Sequence, residues 1–243
     1  MIIWEKTSPQ LEFSSDYVDI WLINLAEEEN DIFNHQRYLT PDELSRASKY
    51  LSGKKSREFI ITRSALRNII GYVLKTDPRQ LGIAYSSSGM PLLDQSWAHT
   101  DITFNVSHSH DLAIIGVSVS NIIGIDIEKI RDNIEFEKLA KRFFSESEHQ
   151  EIMKFEDTTR LDAFFATWTR KEALVKATGT GIAYGLNKFD VSVDPDKPAE
   201  LLNSRWQTEC QSNWSLLNIE TSPNYKACLA VAGDMPDVRY WKI

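Results

Sequence analysis

Cysteine is almost missing from this chain: Cys210 and Cys228 are the only two in 243 residues. Neither stands in a C-x-x-C pair, so a disulfide framework and a thiolate zinc site are both excluded, and a reducing cytoplasm is the expected compartment. Long apolar runs are missing too. No stretch approaches the roughly 20 residues that span a bilayer, so no membrane association is expected. The opening Met1-Ile2-Ile3-Trp4-Glu5-Lys6 lacks the basic and apolar regions of a secretory signal. Positive charge is in deficit, with 27 Lys and Arg against 35 Asp and Glu and a net charge of −8. That balance argues against broad nucleic-acid binding, which needs basic surface. It leaves open phosphate-bearing small molecules, which local charge can hold. One local exception exists, because Arg46, Lys49, Lys54, Lys55, Arg57, Arg63 and Arg67 fall close together. They form either a solvated helix face or a phosphate-binding patch.

What is present is ordinary globular composition, 42% hydrophobic and 26% charged, enough for one large domain or two small ones. Residues 16–25 read as a strand. Thr40-Pro41-Asp42-Glu43 reads as a capping box with proline in the first turn, opening a helix. Phe59, Ile60, Arg63, Leu66, Ile69, Ile70 and Val73 keep helical spacing over 56–74. Residues 86–91 are a turn. Residues 102–106, 112–119 and 122–128 read as β-segments, with Ser107-His108-Ser109-His110-Asp111 turning between the first two. A second capping box, Ser145-Glu146-Ser147-Glu148, opens another helix. A long amphipathic helix over 160–177 is stopped by Gly179 and Gly181. Strands are expected over 189–193, 214–219 and 227–232. Arg63-Ser64-Ala65-Leu66…Gly71 returns 108 positions later as Lys171-Glu172-Ala173-Leu174…Gly179. We read this echo as two similar α+β halves, 1–120 and 121–243, whose interface is a natural ligand site.

Three segments carry candidate chemistry. In Ile123-Gly124-Ile125-Asp126-Ile127-Glu128 the period of two puts Asp126 and Glu128 on one side of a strand, with Gly124 leaving room for a ligand. Hard oxygen ligands without cysteine suit Mg²⁺ or Mn²⁺; the bland alternative is a solvated edge. In Trp168-Thr169-Arg170-Lys171-Glu172-Ala173-Leu174-Val175-Lys176, the residues Trp168, Glu172 and Lys176 share a helix face. The apolar run Phe164-Phe165-Ala166 before them predicts burial. A buried carboxylate beside two lysines wants a metal or a phosphate, unless it is an ordinary i,i+4 pair. In Asn105-Val106-Ser107-His108-Ser109, the Ser107 hydroxyl, the His108 imidazole and the backbone N–H groups after a strand ending at Val106 can meet a phosphate, or simply form a polar turn.

Taken together, these segments resemble the Sfp-type 4′-phosphopantetheinyl transferases. The family's G-x-D-x-E is matched by Gly124, Asp126 and Glu128, and its W-[ST]-x-K-E-[AS]-x-x-K by Trp168 through Lys176. Its N-x-S-H-S is matched by Asn105 to Ser109, and its F-F-S-x-x-E by Phe143-Phe144-Ser145 and Glu148. The resemblance implies a pseudo-twofold α+β fold with the active site between the halves. It implies transfer of phosphopantetheine from coenzyme A to a serine of an apo acyl, aryl or peptidyl carrier protein. The internal echo makes a monomer that buries its own pseudo-dimer interface the expected state. Asp126, Glu128 and Glu172 would hold Mg²⁺. Lys176, with Lys171 nearby, would contact the pyrophosphate, and Ser107 and His108 the 3′-phosphate end. Arg46 and Arg63 are looser phosphate candidates. For the base, Glu172 comes first and Glu148 second, the latter also readable as a helix cap. Gly89-Met90-Pro91 departs from the family's Gly-Lys-Pro. The rival functions are a Mg²⁺-dependent phosphoesterase acting on a nucleotide pyrophosphate and a silent coenzyme A- or carrier-binding module.

Overall fold

The computed structural model describes residues 2–6, 12–179, 185–205 and 213–243; the expected stop at Gly181 and the residue Cys210 lie outside them. Among the described residues twelve strands are formed: β1 (Glu5–Lys6), β2 (Tyr17–Asn24), β3 (Ile83–Tyr85), β4 (Pro91–Leu93), β5 (Ile102–Ser109), β6 (Leu112–Val119), β7 (Ile123–Lys129), β8 (Phe189–Val191), β9 (Leu201–Ser204), β10 (Trp214–Asn218), β11 (Tyr225–Ala232) and β12 (Asp237–Lys242). The helices are α1 (Leu25–Glu28), α2 (Ile32–Gln36), α3 (Pro41–Ser48), α4 (Gly53–Val73), α5 (Phe136–Phe143), α6 (Glu146–Met153) and α7 (Asp157–Thr178). This is an α+β chain.

Two sheets form its centre, one in the order β1-β12-β2-β6-β5 and one in the order β10-β11-β7. Alternation along the strands decides which face meets what. On β2, Val18 and Ile20 face inward, and on β7 so do Ile123, Ile125 and Ile127; with Ile114, Leu229 and Val231 they fill the layer between the sheets. The opposite faces take the two long helices. Ile61, Ala65, Leu66 and Ile69 of α4 pack on Trp21, Ile23, Ile115 and Val117. Ala173 and Leu174 of α7 pack on Cys228 and Ala230. A cluster of Phe144, Phe164, Phe165 and Trp168 pins the N-terminal half of α7. Truncating one of its phenylalanines to alanine costs about 3–5 kcal/mol.

Both expected capping boxes form. Thr40 and Glu43 close α3 reciprocally, and Ser145 and Glu148 do the same for α6. The long helices begin a few residues earlier than their apolar periodicity, at Gly53 and Asp157. Gly179 ends α7 at φ +68°, a left-handed cap that suits glycine.

One expectation fails in a way that matters. Ser107, His108 and Ser109 do not turn but continue β5, paired with β6 down to Ser109–Leu112; only His110 and Asp111 make the turn. Their turn-forming chemistry is overridden by pairing with β6 and by partners on β7.

Candidate active site

The site lies where β5 meets β7. From β7, Asp126 and Glu128 point to the side on which α7 packs, as the period of two requires. Gly124 shares that side, but the space over it is filled by the helix, not by a ligand. A Cβ there would stand 2.1 Å from the Ala173 carbonyl and 2.4 Å from the Ala177 nitrogen. Glycine at 124 therefore lets α7 approach the strand closely enough to bring Glu172 and Lys176 down beside Asp126 and Glu128. An open cleft of about 330 Å³ results, with Ser107 and His108 from β5, Asp126 and Glu128 from β7, and Trp168, Glu172 and Lys176 from α7.

The Lys176 ammonium is the centre of charge. It donates to Asp126 Oδ1 at 2.7 Å, to Ser107 Oγ at 2.8 Å and to the Ile125 carbonyl at 3.2 Å. Ser107 in turn donates to Asp126 Oδ1 at 2.8 Å, and Ser109 to Glu128 Oε2 at 2.7 Å. Two carboxylate oxygens, Asp126 Oδ2 and Glu172 Oε1, are buried with no hydrogen-bond partner. Burying anionic oxygens without partners is costly, and the titration follows. Burial, reinforced by the charge of Asp126, lifts Glu172 to about 7. Burial and Asp126 also raise Glu128 above the usual carboxylate range.

Among the described residues no three carboxylate, imidazole or thiol side chains converge as a ready-made metal cage. The donor set nevertheless fits a hard divalent cation. Its atoms are all oxygens, the site is anionic, and two unpartnered buried oxygens are available to a ligand.

Four expected site residues are not in the cleft. Lys171 is fully buried on the other side of α7, where its ammonium donates to Glu148 Oε1 at 2.8 Å and to the carbonyls of Leu186 and Phe189 at 2.7 and 2.5 Å. Neighbours in sequence diverge by about 100° around a helix, so Glu172 in the cleft sends Lys171 away from it. Glu148 is equally committed: Oε2 accepts from the Ser145 amide at 2.9 Å and Oε1 from the Val191 amide at 2.8 Å. This pair joins α6, α7 and β8, and leaves Glu148 no oxygen for a reacting group. Arg46 and Arg63 are also outside the cleft. They lie together over the Tyr85 ring, at 4.3 and 5.4 Å from its centroid. Arg63 donates to the Tyr85 hydroxyl at 2.9 Å and keeps a buried, unpartnered Nη1.

Ser109 was absent from the candidate residues; its place two positions beyond Ser107, on the same side of a strand, was the available signal.

Comparison with known proteins gives the family. Residues 122–230 match the 4′-phosphopantetheinyl transferase superfamily, and residues 27–120 match a 4′-phosphopantetheinyl transferase N-terminal family. The 4′-phosphopantetheinyl transferase HetI of Nostoc sp. is 36% identical over 238 residues, covering 98% of this chain and 97% of HetI. The 4′-phosphopantetheinyl transferase Sfp of Bacillus subtilis is 26% identical over 213 residues, covering 88% of this chain and 89% of Sfp. The human L-aminoadipate-semialdehyde dehydrogenase-phosphopantetheinyl transferase is 28% identical over 167 residues, covering 65% of this chain and 54% of the human protein. With nearly its full length aligned to HetI and three of the four matched motifs gathered around one anionic cleft, the chain belongs to the 4′-phosphopantetheinyl transferase family.

Proposed function

We propose that this enzyme transfers the 4′-phosphopantetheine group of coenzyme A to a serine of an apo carrier protein through Asp126, Glu128, Glu172 and Lys176. The observation that carries the reading is the pair of unpartnered buried carboxylate oxygens beside the Lys176 ammonium. In the reading, Asp126, Glu128 and Glu172 hold Mg²⁺, with Mn²⁺ able to substitute; the ion supplies charge neutralisation at the pyrophosphate when bound. The serine Oγ forms a bond to the phosphorus that carries pantetheine. The bridging P–O bond breaks, and 3′,5′-ADP leaves. Glu172 takes the hydroxyl proton. Lys176 turns its ammonium to the phosphates and stabilises charge on the departing ADP. His108 at the cleft rim and Arg46 with Arg63 at Tyr85 serve the outer phosphates of coenzyme A.

We further assign the reaction to the cytoplasm and to a monomer made of two α+β halves related by an approximate twofold, an arrangement consistent with the 108-residue echo. Among the described residues no helix is long and apolar enough to cross a membrane. Nothing in the comparisons supports a phosphoesterase or a silent binding module. The test is to incubate the protein with coenzyme A, Mg²⁺ and apo carrier proteins and record intact masses. A gain of one phosphopantetheine that is lost with EDTA and with Asp126→Ala supports the reading. A gain that survives Asp126→Ala removes these residues from it.

A further inference from the structure

β5 and β7 run side by side, yet they belong to different sheets: β5 pairs with β6, and β7 with β11. Where a backbone ladder would stand there is a seam of side chains. Asn105 Oδ1 accepts from the Ile125 amide at 3.0 Å, Ser107 Oγ from the Ile127 amide at 3.4 Å, and Ser109 Oγ from the Lys129 amide at 3.2 Å. Both strands are thus read at period two, and from Ile125 to Lys129 every second amide of β7 is satisfied by one residue of β5.

A serine hydroxyl has one proton left to give after it has accepted. Ser107 and Ser109 give theirs to the carboxylates that precede those amides, Asp126 and Glu128. The amide places the hydroxyl oxygen, and the O–H, free to rotate, is given to the carboxylate at 2.7–2.8 Å; Ser109 Oγ has one further neighbour, His110 Nδ1 at 3.4 Å. The third seam position obeys the same logic. The residue preceding Ile125 is Gly124, which has nothing to hold, and its partner is Asn105 instead of a serine. Asn105 turns its amide group toward the Met90 sulfur, 4.0 Å away.

We propose that Ser107 and Ser109 are positioning residues that aim Asp126 and Glu128 at the divalent cation, while Asn105 only closes the seam. The inference rests on the metal reading above. Ser109 is the position to test, because Ser107 also accepts from the Lys176 ammonium at 2.8 Å, whereas the further neighbour of Ser109 is only the His110 ring nitrogen at 3.4 Å. Mn²⁺ binding to the full chain is measured in the presence of coenzyme A by the loss of the free-ion paramagnetic resonance signal, alongside urea unfolding of the metal-free protein. The groups behind metal-binding carboxylates carry roughly tenfold to hundredfold in affinity. Ser109→Ala is therefore expected to weaken Mn²⁺ binding by at least about tenfold, and Ser109→Thr to restore it to within about threefold. Asn105→Ala orphans one buried amide and lowers the urea midpoint, with Mn²⁺ affinity within about threefold of the parent. Equal losses of Mn²⁺ affinity in Ser109→Ala and Asn105→Ala, or none in Ser109→Ala, would overturn the proposal in favour of a purely structural seam. Failure of the parent protein to bind Mn²⁺ removes the metal reading itself, and the proposal with it. Should Ser109→Ala not fold, Ser109→Cys keeps the size, weakens the donor and is expected to fall between serine and alanine.

Discussion

Replacing Lys171 by methionine should destabilise this enzyme without touching its chemistry. The ammonium is fully buried and is shared among Glu148 Oε1 and the Leu186 and Phe189 carbonyls, with the Phe189 ring centroid at 4.2 Å. Methionine fills similar volume but leaves Glu148 as a buried carboxylate with two amide donors and no countercharge. Breaking a buried pair from one side costs about 3–5 kcal/mol. At about 2–4 °C per kcal/mol for a chain of this size, Tm should fall by roughly 10 °C. Glu148→Gln should also destabilise, since one carbonyl oxygen must serve two amides and an NH₂ then faces the ammonium. The double variant should lose less than the sum of the singles, with a coupling of about 1–3 kcal/mol. The assay pairs urea unfolding with transfer rates at saturating coenzyme A, at a temperature where every variant is folded. There kcat should stay within about threefold. If Glu148→Gln kept full stability and lost a hundredfold in kcat, the account of Glu148 as an anchor would be wrong, and it would have to reach the reacting groups.

Two further outcomes follow from the site and its strand. Glu172 sits at about 7 in the folded protein against an ordinary 4.5; the folded state therefore holds this proton more tightly than the unfolded chain. The metal-free protein should thus lose about 3 kcal/mol of stability as pH rises from about 4.5 to 7, and no more beyond. Mg²⁺ should remove that decline, and so should Glu172→Gln; urea midpoints that fall equally in the parent and in Glu172→Gln would sink the attribution. Gly124→Ala should give low soluble yield or a loss of several kcal/mol, because the new methyl overlaps the α7 backbone, which has no side-chain freedom with which to yield. A normal melting curve for that variant would mean the helix can slide.

The sequence was most informative where local chemistry and tertiary packing agree. The capping boxes at Thr40 and Ser145, the apolar spacing of α4, and the β-rich runs of β2, β6 and β7 all form where they are expected. Asp126 and Glu128 were legible as a pair because strand alternation needs no partner to be read. Glu172 and Lys176 were legible because four residues make one helical face. Lys171 misled because adjacency in the chain is not adjacency on a helix. The seam was hidden behind its composition: Ser-His-Ser-His-Asp is turn chemistry, and only a neighbouring strand with free amides makes it a strand. Strand β12 was missed altogether. Its charged alternation, Asp237 and Arg239 against Val238 and Tyr240, looks like surface until the partner is known, 220 positions earlier in the chain. The two halves also repeat a device that neither segment states alone. In each, the glutamate of a capping box reaches a buried cation of the next long helix, Glu43 to Arg67 at 2.7 Å and Glu148 to Lys171 at 2.8 Å.

Strand β12 has a practical consequence. It returns from the far end of the chain to lie between β1 and β2, in parallel register from Asp237–Tyr17 to Lys242–Leu22. Its Arg239 and Trp241 supply the donors for the buried Asp19 carboxylate. A fragment ending near residue 120 would therefore not be a free-standing half. It would carry a raw edge along Tyr17–Leu22, an acid stranded in its interior and every invitation to recruit a foreign strand. Expressed apart, the two pieces should each be insoluble; expressed together, they should clasp and recover a single soluble enzyme.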